Sequence, residues 1–191
     1  MRSPLSPNTR APEFALRASD GTLVRLRDFL GKNLVLVFYP ADYSPVCTSE
    51  LVLLQETLEE IRRYNAEVVA ISTDSTFAHR AWSEQQHLDF PLLSDFWPHG
   101  GVARRYGVFL ERSGTSNRAL FVIDAQGIIR ERWVAEDPAI APGVGIVLSA
   151  LQEIEEPGVT SHGEIGSRPD ARPDVFVPTE TFAPRLGAHH V

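Results

Sequence analysis

The sequence predicts an α/β fold in which helices flank a mixed central β-sheet, with a hairpin at the N-terminal end. Two apolar runs, at 33–39 and 67–74, are nearly continuous, as is typical of strands buried on both faces of a sheet. Two β-rich segments, at 14–29 and 119–134, each contain a central turn signal and predict antiparallel hairpins. Because helical patterns occur between these strands, the sheet is expected to combine parallel and antiparallel neighbours.

The other elements follow from local spacing and turn residues. Residues 1–12 contain three prolines and predict an extended arm, and Asp20-Gly21 marks the turn of the first hairpin. A helix is expected from about 47 to 64, where the apolar residues Leu51, Leu54, Leu58 and Ile61 recur at helical intervals. In chain order, the remaining predictions are a helix near 76–86, a short strand at 90–95, a short helix at 100–109, a hairpin that turns at 125–127 and a helix at 143–156.

The composition favours one globular domain at 1–156, followed by a tail of different character. Hydrophobic residues make up 43% of the 191-residue chain, which is enough for a full core. From residue 157 onward Pro, Gly, Arg, Asp and Ser dominate, so 157–191 is expected to be a tail that is either disordered or docked. The segment 174–182, DVFVPTETF, is apolar enough to dock, for example over a partner subunit.

Charge and missing motifs disfavour several function classes. The formal net charge of −7 comes without a basic block, which argues against nucleic-acid binding. The first residues lack the apolar stretch of a signal peptide, and no apolar run approaches the ~20 residues of a membrane span, so a cytoplasmic protein is expected. Dinucleotide, phosphate-loop and paired zinc-ligand patterns are absent from the sequence, and no cofactor or metal is expected.

Cys47 is the only cysteine in the chain, so no disulfide can form within one molecule. An unpaired cysteine is often a small, buried and inert side chain, and residue type alone does not separate this alternative from a reactive thiol. Its position favours reactivity, because the first turn of a helix after a core strand stabilises a thiolate. Pro40 and Pro45 frame and stiffen the connecting loop. The segment from Ser44 also resembles a Cys-x-x-Cys motif whose first cysteine is replaced, so dithiol cycling within the chain is not available.

These residues resemble the peroxiredoxins, whose motif is Pro-x-x-x-Thr/Ser-x-x-Cys with a distant arginine. The motif matches Pro40, Ser44 and Cys47, with serine where threonine is commoner, and the arginine matches Arg118. Glu50, in CTSE, also fits the family pattern. The stretches FPLLSDFWPHGGVARRYGVF and NRALFVIDAQGIIR are similar to the AhpE-type one-cysteine subfamily. The resemblance covers roughly residues 8–155 and implies a thioredoxin-like fold.

The resemblance implies a thiol-dependent peroxidase and a role for each matched residue. Cys47 would attack hydrogen peroxide, an organic hydroperoxide or peroxynitrite and become a sulfenic acid. Arg118 would stabilise the thiolate and hold the peroxide, and Ser44 would hydrogen-bond both. Pro40 would shield the sulfur from water, and backbone N–H groups of the first helical turn would add donors. Glu50 is expected in that first turn, with at most a supporting role.

The resemblance also implies partners. The sulfenic acid would need an external thiol, either a low-molecular-weight thiol or a thioredoxin- or glutaredoxin-type protein. One-cysteine peroxiredoxins form homodimers, and here the loop at 95–100 with Tyr43 and Phe77 is the expected contact. A Trp-Pro loop exposed to water would be covered in such an interface.

Two alternatives stay open from the sequence. A redox sensor or chaperone-like binding protein could use the same sulfenic acid as a signal. The bacterioferritin-comigratory, or PrxQ, branch often has a resolving cysteine five residues after the first, but this position is Val52, so only a form without that cysteine would apply.

The remaining aromatic and histidine residues are expected to be structural. Trp82, Phe96 and Trp97 are interpreted as core or interface residues rather than substrate contacts. His79, His87 and His99 lack metal-ligand spacing and are interpreted as solvated or capping side chains.

Overall fold

The computed structural model describes residues 3–155, and the predicted tail, with its segment 174–182, lies outside them. The elements are, in chain order, β1 (Ala15–Ala18), β2 (Leu23–Arg25), a 3-10 helix (Leu26–Phe29), β3 (Asn33–Phe38), α1 (Pro45–Glu56), α2 (Leu58–Arg63), β4 (Ala66–Ser72), α3 (Thr76–Gln86), β5 (Leu92–Ser94), α4 (Gly101–Tyr106), β6 (Phe109–Leu110), β7 (Thr115–Ser116), β8 (Ala119–Ile123), β9 (Ile129–Val134) and α5 (Val144–Glu155).

Seven strands form one mixed sheet in the order β2-β1-β5-β4-β3-β8-β9. Strands β3, β4 and β5 are parallel to one another, whereas the β1–β2 and β8–β9 hairpins pair antiparallel at the two ends. All six residues of β3 are buried, because this strand lies between β4 and β8 with helices on both faces. The predicted mixed sheet, its two central strands and both hairpins are therefore confirmed.

Alternate residues of β3 point into two separate cores, as the two-residue period of a strand requires. One core contains Leu34, Leu36 and Phe38 together with the buried face of α4. The other contains Val35 and Val37 and is covered by α1, α2, α3 and α5. Cys47 belongs to this second core, so its surroundings are set by the four helices on that face.

The helix expected from 47 to 64 is divided into α1 and α2. The division falls at Thr57, whose hydroxyl donates to the Leu53 carbonyl at 2.8 Å. Such a bond competes with the helix's own backbone bonds and often bends it. The four apolar residues that predicted this helix are all buried, because both segments pack on the same core.

A second difference is the short β6–β7 hairpin, which lies apart from the main sheet and was not predicted.

The N-terminal arm packs along the start of β9, where Asn8 N–H donates to the Ile129 carbonyl at 2.7 Å and Ala11 N–H to the Gly127 carbonyl at 2.9 Å. The helices within residues 3–155 are all too short or too polar to span a membrane.

Candidate active site

The loop between β3 and α1 places Cys47 at one end of the sheet. The helix begins at Pro45, with Ser44 as its N-cap. Proline suits the first helical position because its fixed φ is helical and its missing N–H has no role there. Cys47 is consequently the third residue of α1, and it is fully buried.

The first turn of α1 leaves backbone donors close to the cysteine. The first helical hydrogen bond runs from Thr48 N–H to the Ser44 carbonyl, at 2.9 Å. The N–H groups of Val46 and Cys47 come before this bond and have no partner within the helix. Together with the helix dipole they create a partial positive charge, which favours an anion at this place.

Strand pairing brings Arg118 to the same end of the sheet. Phe38, the last residue of β3, pairs with Ala119, the first residue of β8. The residue before Ala119 must then lie beside the loop that leaves β3. Arg118 N–H is held by the Asn117 side chain at 2.9 Å, and the arginine side chain turns into the core, where the residue is only 1% exposed.

Each of the three guanidinium nitrogens of Arg118 has its own partner. Nη2 donates to Cys47 Sγ at 3.3 Å, and Nε donates to the Pro138 carbonyl at 3.0 Å. Nη1 donates to the buried carboxylate of Glu50. A planar group bound at three points cannot rotate, so the cation is fixed against the sulfur.

Charge at this site is set by the balance between burial and pairing. Burial lowers the pKa of Arg118, but the nearby Glu50 and Cys47 more than offset this, and its pKa is raised overall. The guanidinium therefore stays charged. Burial raises the pKa of Glu50 to about 7, against the opposing attraction of Arg118.

The structure brings Cys47, Arg118 and Glu50 into contact, while Ser44 and Pro40 lie on the adjoining loop. Ser44 does not use its hydroxyl to cap α1, although it occupies the N-cap position. Pro40 is half-buried where the loop leaves β3. Within residues 3–155, no group of three or more His, Cys, Asp or Glu side chains is placed to hold a metal ion.

The expectation that Glu50 lies in the first helical turn is wrong. Because α1 begins at Pro45, Glu50 falls in its second turn, buried and paired with Arg118. The Pro138 carbonyl was missed altogether. It lies in the irregular segment between β9 and α5, which carries no local pattern that could have indicated it.

The interpretation of His79 as solvated or capping is also wrong. His79 is fully buried on α3, and its Nδ1 lies 2.9 Å from a carboxylate oxygen of Asp42. His99 is exposed to solvent, as expected, and its Nε2 lies 2.6 Å from the Gly114 carbonyl in the turn between β6 and β7. Trp82 is a core residue, as expected, whereas Trp97 is 81% exposed.

We predict that Glu50→Gln removes a pH-dependent loss of stability. The pKa of Glu50 is about 7 in the folded chain against an ordinary value of 4.5, so the folded state binds this proton more tightly. The stabilisation that comes from protonated Glu50 is complete below pH 4.5 and is lost as the pH rises to about 7. Between these limits the wild-type free energy of unfolding should fall by about 1–3 kcal/mol relative to the variant. Urea unfolding of both proteins across this window measures the difference, and parallel curves would contradict the prediction.

Comparisons with known proteins agree on one family. The AhpC/TSA family profile matches residues 7–132. An alkyl hydroperoxide reductase E from Mycobacterium bovis is 44% identical over 127 residues, which cover 66% of this chain and 83% of the relative. A putative peroxiredoxin from the rubredoxin operon of Clostridium pasteurianum is 35% identical, with 78% of this chain and 89% of the relative covered.

The solved structures point the same way. The crystal structure of peroxidoxin BcpB from Mycobacterium tuberculosis superposes with a TM-score of 0.71 at 30% identity and covers 78% of this chain and 98% of that one. The expected thioredoxin-like fold is thereby confirmed. The chain belongs to the AhpC/TSA family, and within it to the AhpE-type peroxiredoxins, which makes it a thiol-dependent peroxidase with a single cysteine.

Proposed function

We propose that Cys47 is the nucleophile of this peroxidase and that Arg118 is the cation that activates it. The observation that carries the proposal is the 3.3 Å hydrogen bond from Arg118 Nη2 to Cys47 Sγ. An ordinary cysteine thiol is only a few per cent ionised at neutral pH, so a nucleophilic cysteine needs a neighbour that favours its thiolate. The fixed guanidinium and the start of α1 both supply that influence.

In the proposed reaction, the Cys47 thiolate attacks one oxygen of the peroxide. The S–O bond forms as the O–O bond breaks, and the sulfur loses the two electrons that the leaving oxygen gains. The leaving oxygen takes up a proton and departs as water or an alcohol, and Cys47 becomes a sulfenic acid. An external thiol then attacks that sulfur, releases water and forms a mixed disulfide, which a second thiol reduces.

Ionisation alone gives a limited gain, because a thiol that is already a few per cent ionised can increase its thiolate only about thirtyfold. Further acceleration requires donors that stabilise charge on the leaving oxygen. Arg118 Nη1 and Nη2 each carry a second N–H, and the N–H groups of Val46 and Cys47 are not used within the helix. We assign these donors to the peroxide, with the uncommitted hydroxyl of Ser44 beside them. Pro40 limits the approach of water from the loop side.

The assignment can be tested with reduced protein in stopped-flow mixing against hydrogen peroxide, an organic hydroperoxide and peroxynitrite. Rapid second-order loss of the Cys47 thiol, with one sulfenic acid formed per chain, is expected for at least one of the three. The order of the three rate constants identifies the preferred peroxide. Absence of any reaction faster than that of a free thiol would overturn the assignment.

We predict that oxidised Cys47 is resolved by a separate thiol and not by a second copy of this chain. Cys47 is 0% exposed, so two Cys47 sulfur atoms cannot meet unless α1 opens on both copies. A small thiol, or the flexible active-site loop of a thioredoxin- or glutaredoxin-type protein, needs far less movement. Intact mass spectrometry should therefore show one thiol added per chain. A Cys47–Cys47 disulfide as the sole product would contradict this.

We also propose a homodimer built on one apolar surface. Leu23, Phe77, Phe96 and Trp97 line a single surface depression of about 440 Å³. Phe77 and Trp97 are about four-fifths exposed, and Tyr43, on the loop before α1, is 53% exposed with its ring centre 6.1 Å from that of Trp82 on α3. So many exposed aromatic side chains in one area are unusual for a monomer and fit an interface core.

The dimer prediction can be checked by sedimentation of the full chain over a dilution series. Trp97→Ser should shift the equilibrium toward monomer by at least about tenfold, because it removes the largest exposed ring of the depression. Leu30→Ser is the matched control, since Leu30 is also exposed but does not line this depression. A monomeric wild type, or equal effects of both substitutions, would remove the proposal.

A further inference from the structure

A buried polar cluster lies directly behind the loop that carries the active-site motif. Tyr39 hydroxyl donates to Asp42 Oδ1 at 2.8 Å, and His79 Nδ1 lies 2.9 Å from Asp42 Oδ2. Because a carboxylate oxygen only accepts, Nδ1 is the nitrogen that carries the hydrogen. Burial raises the pKa of Tyr39 well above its usual range, so its hydroxyl keeps the proton that it donates. None of these groups is used in the proposed reaction.

The cluster attaches the loop to the neighbouring strand and helix. The main chain of Asp42 is held as well as its side chain, because its N–H donates to Asp74 Oδ2 at 3.0 Å. The Ser72 hydroxyl donates to the same Asp74 oxygen at 2.7 Å. Asp42 thus joins the middle of the loop to α3 through His79 and to the end of β4 through Asp74.

The loop needs such an attachment because its next residue is in an unfavourable conformation. Tyr43 has φ +60°, in the left-handed region that residues with a side chain rarely adopt. A conformation of this kind persists only where the surroundings enforce it. Ser44 follows immediately, so the turn at Tyr43 decides where the Ser44 hydroxyl lies relative to the sulfur.

Stability alone does not account for a histidine at this place. His79 Nε2 is buried and has no hydrogen-bond partner within residues 3–155. An unsatisfied buried nitrogen is unfavourable, and a buried polar contact is often no more stabilising than packed apolar side chains. Trp82 and the ring of Tyr39 already provide apolar surroundings. The contact between His79 and Asp42 is therefore better explained by a role in holding the loop in position.

We propose that the hydrogen bond between His79 and Asp42 is a positioning contact that fixes loop residues 40–44 for peroxide reduction. His79 and Asp42 touch neither Cys47 nor the peroxide, and they act through Ser44 and Pro40. The inference rests on the proposed roles of those residues. It assigns to α3 a part in the reaction although this helix carries no residue of the family motif.

Two substitutions at His79 distinguish the effect of its hydrogen bond to Asp42 from the effect of its side-chain size. Asparagine places an amide N–H close to the position of Nδ1 and can keep the bond to Asp42. Glutamine is nearer to histidine in size, but its amide lies toward the position of Nε2, which has no partner. His79→Asn should therefore lower the rate constant for peroxide oxidation of Cys47 by less than about threefold, and His79→Gln by at least about tenfold.

A second reagent shows whether the effect is specific. Alkylation of Cys47 by iodoacetamide needs the thiolate but none of the peroxide donors, so its rate should change by less than about threefold in both variants. The change His87→Gln at the exposed end of α3 controls for effects on the helix. If His79→Gln does not fold, His79→Leu removes the same bond with an apolar side chain that suits the surroundings of Trp82 and Tyr39, with the same expected loss.

The outcomes distinguish this inference from the proposed function. Equal peroxide rates for the Asn and Gln variants, or equal losses in the peroxide and alkylation reactions, would overturn the positioning role. Failure of the wild-type protein to react with any peroxide would instead refute the assignment of Cys47. A selective loss in His79→Gln, restored in His79→Asn, is the result that the geometry requires.

Discussion

Replacing Cys47 with serine is expected to abolish peroxide reduction while the protein stays folded. Cys47 is the only cysteine, so the variant retains no sulfur that can form a sulfenic acid with the proposed chemistry. A serine hydroxyl does not ionise near neutral pH, and its oxygen cannot take a second oxygen from a peroxide. The predicted activity is therefore that of the buffer alone.

The fold should tolerate this substitution because the serine hydroxyl can accept the hydrogen bond that the cysteine sulfur accepts. Arg118 Nη2 donates to Sγ in the wild-type protein and can donate to the serine oxygen instead. We expect a cost of about 1 kcal/mol in the free energy of unfolding, from the smaller atom in a packed site. Peroxide consumption and urea unfolding are measured on the same sample. Wild-type turnover by the serine variant would exclude Cys47 as the nucleophile.

The sequence alone predicted those parts of the fold that depend on a local pattern of residues. Continuous apolar runs predicted β3 and β4, and their alternation between two cores follows from the period of a strand. The proximity of Cys47 and Arg118, which are 71 residues apart, came only from the family resemblance. No periodicity could have predicted it, because it depends on β8 pairing with β3 from a distant part of the chain.

The parts that could not be predicted depend on contacts between distant segments. Glu50 looked like an ordinary helix residue because its partner is 68 positions away. His79 looked like a surface residue because histidine is polar, yet Asp42, 37 positions earlier, supplies the contact that allows its burial. Thr57 interrupts a helix whose apolar spacing continues without a break, so the pattern predicts the buried face but not the bend.

Replacing Arg118 with alanine should slow peroxide oxidation of Cys47 by about 10²–10³-fold, even at a pH where the thiol is fully ionised. Two effects contribute and can be separated. At neutral pH the variant holds less thiolate, because the cation next to the sulfur is gone. At high pH that difference disappears, and the remaining loss reports the donors that Arg118 gives to the leaving oxygen.

The substitution also leaves Glu50 buried without its counterion, which would destabilise the protein and confuse the comparison. The double variant Arg118→Ala, Glu50→Gln removes this problem, and Glu50→Gln alone is its matched control because Arg118 is retained. Arg118→Lys keeps the charge but cannot contact Cys47, Glu50 and the Pro138 carbonyl at once, so its rate should fall between wild type and alanine. Stopped-flow rate constants measured across pH for these proteins distinguish the loss of thiolate from the loss of donors to the leaving oxygen. If the alanine and wild-type rates converge at high pH, Arg118 controls only ionisation, and the stabilisation of the leaving oxygen must come from Ser44 and the first turn of α1.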